Sequence, residues 1–146
     1  MTDTREGGCR CGQVRFRVEG RPMVTMACHC RGCQRMTASA FSLSALYSAT
    51  AFMLTQGETV IGGMKAEPRH RFCPDCMSWV FTEVTADLVN IRAPLLDEPD
   101  PEPPFLDCYV SEKLPWASTG APHAFDAFPD PADYPALMAE YAARTR

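Results

Sequence analysis

Alternating apolar and polar residues predict that much of this chain forms β-strands. Val14, Phe16 and Val18 are separated by charged residues, which is the pattern of a strand with one buried face. Residues 41–47 repeat the pattern with serines in polar positions. Short strands with turn signals at intervals of about eight to twelve residues are typical of a sandwich-like β domain. We therefore predict a mainly β fold with little helix.

The other short apolar segments predict further strands, and two segments predict helix. The strands are expected near residues 23–27, 52–55, 58–61, 69–72, 79–83, 88–93 and 107–110. A short helical turn is predicted within residues 34–40. Near the C-terminus, apolar side chains recur at helical spacing, at Tyr134, Leu137, Met138 and Tyr141. With Asp130 or Asp133 as its N-cap, this short C-terminal helix is expected to pack on the domain, and a partner-binding helix is the alternative.

Composition and charge narrow the class of protein. The 146 residues suffice for a real core, so residues 1–146 are predicted to form a single domain. A net charge of −4, without a basic stretch to offset it, argues against a nucleic-acid binder. No apolar run reaches the roughly 18–20 residues of a membrane span, and residues 1–8 lack the apolar core of a signal peptide. We expect a cytoplasmic protein with neither a nucleic-acid nor a membrane partner, and an exposed acidic loop at residues 94–104.

Eight cysteines make metal binding the leading chemical hypothesis. Without an export signal, thiolates and metal are favoured over a disulfide framework. Two C-x-C pairs support this choice, because their cysteines are too close for a comfortable disulfide and suit chelation better. A disulfide scaffold is the alternative at this stage.

Three of these cysteines, Cys28, Cys30 and Cys33, lie within one segment of six residues. Zinc binds thiolate sulfur at about 2.3 Å, and short cysteine spacings wrap a chain segment around such an ion. Three sulfurs leave the fourth tetrahedral position to His29, a distant residue, water or a substrate. A closed four-ligand site is structural, whereas an exchangeable fourth position is the usual plan of a catalytic zinc. The function depends on which of these applies.

Four more cysteines can form a second, closed site. Cys9 and Cys11 supply one pair and Cys73 and Cys76 another, which joins the N-terminus to the middle of the chain. The competing partition joins the two C-x-x-C pairs, as in a zinc ribbon, and leaves the other three clustered cysteines without a role. A thioredoxin-like redox role for the second C-x-x-C ranks lower, because no βαβ pattern surrounds it.

The other candidate residues have simpler interpretations. Cys108 stands apart in a predicted strand and is expected to be a small buried hydrophobe. The side chain of His29 is expected to point to solvent or a hydrogen-bond partner, with metal ligation as the alternative. Arginines beside the cysteines offset thiolate charge or, in the sharper hypothesis, hold an anionic substrate; they are Arg31, Arg35, Arg69 and Arg71.

These motifs resemble those of a known family, the glutathione-dependent formaldehyde-activating enzymes. These GFA-like proteins also include centromere protein V. The matching segments are residues 7–12 (GGCRCG), 28–34 (CHCRGCQ), 72–76 (FCPDC) and 110–116 (VSEKLPW). The resemblance covers roughly residues 5–117 and leaves residues 118–146 as a C-terminal extension that contains the helix.

The resemblance implies a β-tent fold and two zinc ions per chain. It assigns a catalytic zinc to Cys28, Cys30 and Cys33. It assigns a structural zinc to the other set, Cys9, Cys11, Cys73 and Cys76. The chain departs from the family's pattern at Met77, where a glycine is common, and at Asp107, where a histidine is common.

Two functions from different classes are compatible with these residues. The first is a zinc-dependent carbon–sulfur lyase-like enzyme, which acts on thiol–aldehyde adducts of the S-hydroxymethylglutathione type. Its substrates would be a small thiol such as glutathione and an aldehyde such as formaldehyde, with Asp107 and His29 as candidate proton-transfer groups. The alternative is a non-catalytic, zinc-stabilised β domain that binds a partner. An exchangeable fourth ligand on the three-cysteine cluster would favour the enzyme.

Overall fold

A computed structural model describes residues 3–63 and 68–144 of the chain. Its internal contacts divide the chain into two compact units. The first unit comprises Met1–Pro22 with Ala45–Asp100, and the second comprises Met23–Ser44 with Pro101–Arg146. One boundary between the units, after Asp100, falls inside the acidic loop of residues 94–104, which we expected to lie within a single domain. The single domain over residues 1–146 stays a prediction.

In the first unit, a three-stranded antiparallel sheet is formed by β1 (Thr4–Gly8), β2 (Arg15–Glu19) and β5 (Phe52–Gln56). The central strand β2 pairs with both others. Its alternating residues Phe16 and Val18 are completely buried. The strand pattern predicted from this alternation is therefore confirmed, and the buried face supplies part of the unit's core.

The first unit also contains four consecutive antiparallel strands. They are β6 (Val60–Gly62), β7 (Arg69–Phe72), β8 (Trp79–Glu83) and β9 (Leu88–Arg92). The apolar side chains of this unit form one buried cluster: Cys9, Val14, Phe16, Val18, Ala45, Tyr47, Cys73, Val80, Phe81, Val89, Ile91 and Leu96. Two predicted metal ligands are thus part of the core, so their turns are fixed by packing.

In the second unit, β3 (Val24–Cys28) pairs in parallel with β10 (Leu106–Cys108), which pairs in parallel with β11 (His123–Ala124). Helix α1 (Arg31–Thr37) follows β3 after two residues. Helix α2 (Tyr134–Arg144) ends the described chain. Its buried side chains, Leu137 and Tyr141, belong to the predicted apolar stripe, and the short C-terminal helix is confirmed.

Strand β4 (Ser42–Ser48) departs from the predicted alternation in its first residues, whereas Ala45 and Tyr47 are buried as predicted. Ser42 and Ser44 are buried, whereas Phe41 and Leu43 remain partly exposed. The ring of Phe41 lies 5.2 Å from the ring of His29, centroid to centroid. Phe41 therefore covers a histidine beside the cysteine cluster.

Two predicted boundaries were wrong. The short helix begins at Arg31 rather than Gln34, because the thiol of Cys30 accepts the backbone N–H of Cys33 and caps the helix N-terminus. The strand predicted for residues 107–110 is Leu106–Cys108, because Tyr109 adopts a left-handed φ of 56° and a 3-10 turn follows. Neither described helix is both long and apolar enough to span a bilayer.

Candidate metal and catalytic sites

The first cysteine cluster lies in two turns of the first unit. The turn between β1 and β2 carries Cys9 and Cys11, and the backbone N–H of Cys9 donates to the carbonyl of Val14 at 3.0 Å. The turn between β7 and β8 carries Cys73 and Cys76 and is closed by pairs such as Cys73 N–H to the Ser78 carbonyl, 2.9 Å. The two turns belong to different sheets, and the backbone N–H of Arg10 in the first donates to the hydroxyl of Ser78 beside the second at 3.1 Å.

The geometry of this cluster fits a tetrahedral thiolate site. All four sulfurs lie within 4.8 Å of one another. The Cys9–Cys11 and Cys11–Cys73 sulfur distances are 3.5 and 3.8 Å. Zinc–sulfur bonds of about 2.3 Å in tetrahedral geometry require sulfur–sulfur distances of about 3.8 Å. The cluster can therefore accept zinc with little rearrangement.

Hydrogen bonds and neighbouring thiols give the cluster unequal pKa values. The hydroxyl of Ser78, 3.3 Å from the sulfur of Cys76, lowers the pKa of that thiol to about 5. The backbone N–H of Gln13 acts to lower the pKa of Cys11, but the thiols of Cys9, Cys76 and Cys73 together raise it to about 12. Ionisation of one thiol thus disfavours ionisation of its neighbours, and a divalent cation would relieve the repulsion between the thiolates.

Met77 occupies the turn position at which the resemblance led us to expect glycine. Its φ is 60°, in the left-handed region, and its N–H donates to the carbonyl of Cys73 at 3.0 Å. Glycine adopts this conformation without steric cost, whereas a methionine does so under strain. Glycine at this position would therefore relieve strain in the turn.

The second cluster lies where β3 passes into α1 in the second unit. Cys28 is the last residue of β3, Cys30 caps the helix, and Cys33 lies in its first turn. The three sulfurs lie within 4.8 Å of one another. Among residues 3–63 and 68–144, no other histidine, cysteine or carboxylate ligand atom joins this group. The cluster offers three sulfurs to a metal and a fourth position to something else.

These three thiols also disfavour one another's ionisation. The hydrogen bond to Cys33 and burial raise the pKa of Cys28. Burial, together with the charge of Cys33, raises the pKa of Cys30. As in the first cluster, a bound cation is the natural means of holding several thiolates together.

His29 does not join the sulfurs; instead it pairs with Asp107 on the neighbouring strand β10. The imidazole is 1% exposed, and its Nε2 lies 2.8 Å from Oδ1 of Asp107. The hydroxyl of Thr119 is 2.9 Å from both oxygens of the same carboxylate. Thr119 was missed by sequence reasoning, because it lies beyond the matched motifs and is joined to Asp107 only by the fold.

The other ring nitrogen of His29, Nδ1, is buried and has no hydrogen-bond partner in the described part of the chain. Because Asp107 is an acceptor, a neutral His29 that donates through Nε2 presents Nδ1 as an acceptor. The two residues proposed as proton-transfer groups are therefore in direct contact, with one ring nitrogen left available.

Gln34 holds the cysteine loop against the segment that follows β10. Its side-chain amide donates to the carbonyl oxygens of His29 at 2.7 Å and Glu112 at 3.0 Å. Its amide oxygen accepts from the guanidinium of Arg31. The carboxylate of Glu112 accepts the backbone N–H of Arg31 at 2.8 Å. Two distant motif segments are thus joined by one buried glutamine.

The remaining candidate residues lie outside the two cysteine clusters. Cys108 is fully buried, and burial raises the pKa of its thiol to about 12, as expected of a core residue. Arg69 and Arg71 pair with Glu83 in the first unit. His70 is half-buried beside Thr82, and His123 contacts Glu140 at 2.8 Å.

Comparison with known proteins shows the family of this chain. Residues 4–112 match the family model described as "Glutathione-dependent formaldehyde-activating enzyme". All seven clustered cysteines and Asp107 lie inside the match. The chain belongs to the glutathione-dependent formaldehyde-activating enzyme family.

A curated relative and a solved structure extend the comparison. A Halomonas elongata protein named "Putative glutathione-dependent formaldehyde-activating enzyme" is 32% identical over 111 residues, which cover 68% of this chain and 69% of the relative. A crystal structure of a Rhodobacter sphaeroides protein superposes with a TM-score of 0.51 at 16% identity, covering 66% of this chain and 91% of that one. The second comparison supports the fold alone. Thr119 and α2 lie outside the residues matched by the family model.

Proposed function

We propose that this family member is a zinc-dependent enzyme that joins glutathione to formaldehyde and reverses that step, as a carbon–sulfur lyase. One observation carries the proposal. The second cluster holds three sulfurs within 4.8 Å and, among the described residues, gains no fourth protein ligand. Three protein ligands with an exchangeable position are the usual arrangement of catalytic zinc. The printed name of the Halomonas relative supports the same choice of substrates.

The proposed metals are two zinc ions per chain. Cys28, Cys30 and Cys33 would hold the catalytic ion, and the four sulfurs of the first unit would hold a structural one. Zinc in the catalytic site would lower the pKa of a bound thiol or polarise the aldehyde oxygen.

The chemical step transfers one proton and involves no oxidation. The sulfur of glutathione forms a bond to the formaldehyde carbon, the C=O π bond breaks, and the proton lost by the thiol ends on the new hydroxyl. His29 would carry this proton, and the support for this role is that its buried Nδ1 has no hydrogen-bond partner among the described residues. Asp107 would hold the ring by the contact of its Oδ1 with Nε2, at 2.8 Å.

The direct test is exchange NMR on glutathione and formaldehyde with zinc-loaded protein. We expect faster formation and breakdown of S-hydroxymethylglutathione with the wild type, and loss of this acceleration in Cys30→Ser. A Cys108→Ser variant serves as the control, because Cys108 belongs to neither cluster. No acceleration by zinc-loaded wild type with several thiols and aldehydes would reject the enzyme and favour the partner-binding domain. The cytoplasmic location stays a prediction.

A further inference from the structure

Thr119 contacts the side chain of Asp107 and has no role in the chemical step proposed above. Its hydroxyl oxygen lies 2.9 Å from each oxygen of the Asp107 carboxylate. Oδ1 of Asp107 in turn lies 2.8 Å from Nε2 of His29. All three residues belong to the second unit, and Thr119 lies beyond residues 4–112, which the family model matches. The family match therefore does not cover this contact.

A backbone group sets the direction of the hydrogen bonds that join these side chains. The N–H of Ala121 donates to the hydroxyl oxygen of Thr119 at 3.1 Å. A hydroxyl has one proton to donate, and an ionised carboxylate only accepts. The hydroxyl proton of Thr119 is therefore directed at the Asp107 carboxylate. The same carboxylate accepts from Nε2 of His29, which in the neutral ring leaves Nδ1 without a proton.

The orientation of the Asp107 carboxylate depends on Thr119. Strand pairing positions the backbone of Asp107, because β10 pairs with both β3 and β11. The carboxylate itself can still turn about its last side-chain bond, whose torsion is broadly distributed. Thr119 restricts this rotation, since its hydroxyl contacts both oxygens. The side chain of His29 is 1% exposed and that of Asp107 is 16% exposed, so little water is available to replace the hydroxyl.

We propose that Thr119 is a positioning residue for the proton transfer. Its hydroxyl holds the Asp107 carboxylate in the orientation that accepts the Nε2 proton of His29, and this keeps Nδ1 of His29 available for the proton that moves in the reaction. The inference rests on the proposed function, because it takes His29 as the proton carrier. It adds a residue that acts through Asp107 and not on the substrate.

Three variants separate the hydroxyl of Thr119 from the rest of the side chain. Thr119→Val replaces the hydroxyl with a methyl group of similar size, whereas Thr119→Ser keeps the hydroxyl. Thr25→Val is the matched control, because the hydroxyl of Thr25 also accepts a backbone N–H, that of Phe105 at 3.1 Å. Thr25 is half-buried in the same unit, and its hydroxyl contacts no carboxylate of the described residues.

NMR of zinc-loaded, ¹⁵N-labelled protein at one neutral pH tests the arrangement without turnover. The Nε2 proton of His29 should exchange slowly with water, because it is buried and bonded to Asp107. Spectra of His70→Gln and His123→Gln identify its signal among the three histidines. Loss of one charge-assisted hydrogen bond should make this exchange about tenfold faster in Thr119→Val, and the other two variants should resemble the wild type. A proton on Nδ1 in the wild type, or an unchanged exchange rate in Thr119→Val, overturns the inference.

Kinetics separate this inference from the proposed function. With glutathione and formaldehyde, we expect Thr119→Val to lower kcat about tenfold and to leave the KM for glutathione unchanged, because the hydroxyl serves proton transfer and not binding. Thr119→Ser should recover most of kcat. A wild-type kcat in Thr119→Val, or a Thr119→Ser as slow as Thr119→Val, overturns the inference. If the wild type catalyses nothing, the proposed function fails, whereas faster Nε2 exchange in Thr119→Val still supports the positioning of His29 by Thr119.

Discussion

At the scale of single residues, Met77 shows how one backbone angle governs local stability. It is 55% exposed with a φ of 60°, so strain outweighs any contact that its side chain makes. A non-glycine residue in the left-handed region destabilises the folded state by about 1–2 kcal/mol. Glycine removes this strain, but part of the gain is lost because glycine also increases the conformational entropy of the unfolded chain. We expect Met77→Gly to raise the free energy of unfolding by about 0.5–1 kcal/mol, measured by urea denaturation.

The matched control is Met53→Gly. Met53 is equally exposed, at 53%, but lies within β5. There, glycine adds unfolded-state entropy and removes the contact of the Met53 sulfur with Arg17, so it is expected to destabilise. A less stable Met77→Gly would show that the turn tolerates methionine without strain.

His70 gives a prediction about pH at the same scale. Burial, and secondly the charge of Arg92, lower the pKa of His70 below its usual value near 6.5. The unfolded chain therefore binds a proton more readily than the folded one, and stability falls as pH drops through about 6.5. NMR titration should give a folded-state pKa below 6.5, and His70→Gln should flatten the pH dependence of stability between pH 7 and 6. A folded-state pKa above 6.5 would contradict this account.

At the scale of elements, the two cysteine turns of the first unit join separate strand pairs. Cys73 belongs to the core and to the four-sulfur cluster, whereas Cys108 is equally buried but belongs to neither cluster. Because metal binding is coupled to folding, we expect Cys73→Ser to lose one zinc per chain and to melt well below the wild type. Cys108→Ser should keep both ions and lose only about 1–3 kcal/mol, the cost of an unpaired buried hydroxyl. Elemental analysis and thermal melting measure both effects, and a Cys73→Ser protein with unchanged zinc content would reject the structural site.

At the scale of the whole molecule, the two clusters should differ in lability. Three sulfurs come from one segment at the end of β3, whereas the other four come from two turns separated by more than sixty residues, Cys11 to Cys73. A mild chelator should therefore remove one zinc while the protein stays folded, and the second only with unfolding. Zinc release is followed with tryptophan fluorescence and circular dichroism. Release of both ions in a single unfolding transition would mean that both sites are structural.

The sequence by itself determined the features that depend on neighbouring residues. The three sulfurs of residues 28–33 are held together by local chain geometry, and the C-x-C and C-x-x-C turns fix each pair in the other cluster. The alternation in β2 likewise predicts its buried face, because side chains on a strand point to opposite sides in turn. These spacings also carry the family resemblance.

Only the tertiary structure decided which distant groups complete the site. Asp107 contacts His29 although 78 positions separate them, because β10 pairs with β3. Thr119 contacts the same carboxylate from outside the family match. No local sequence pattern predicts either contact. The buried Ser42 and Ser44 of β4 depart from the predicted pattern, because burial depends on what covers each face and not on hydropathy alone.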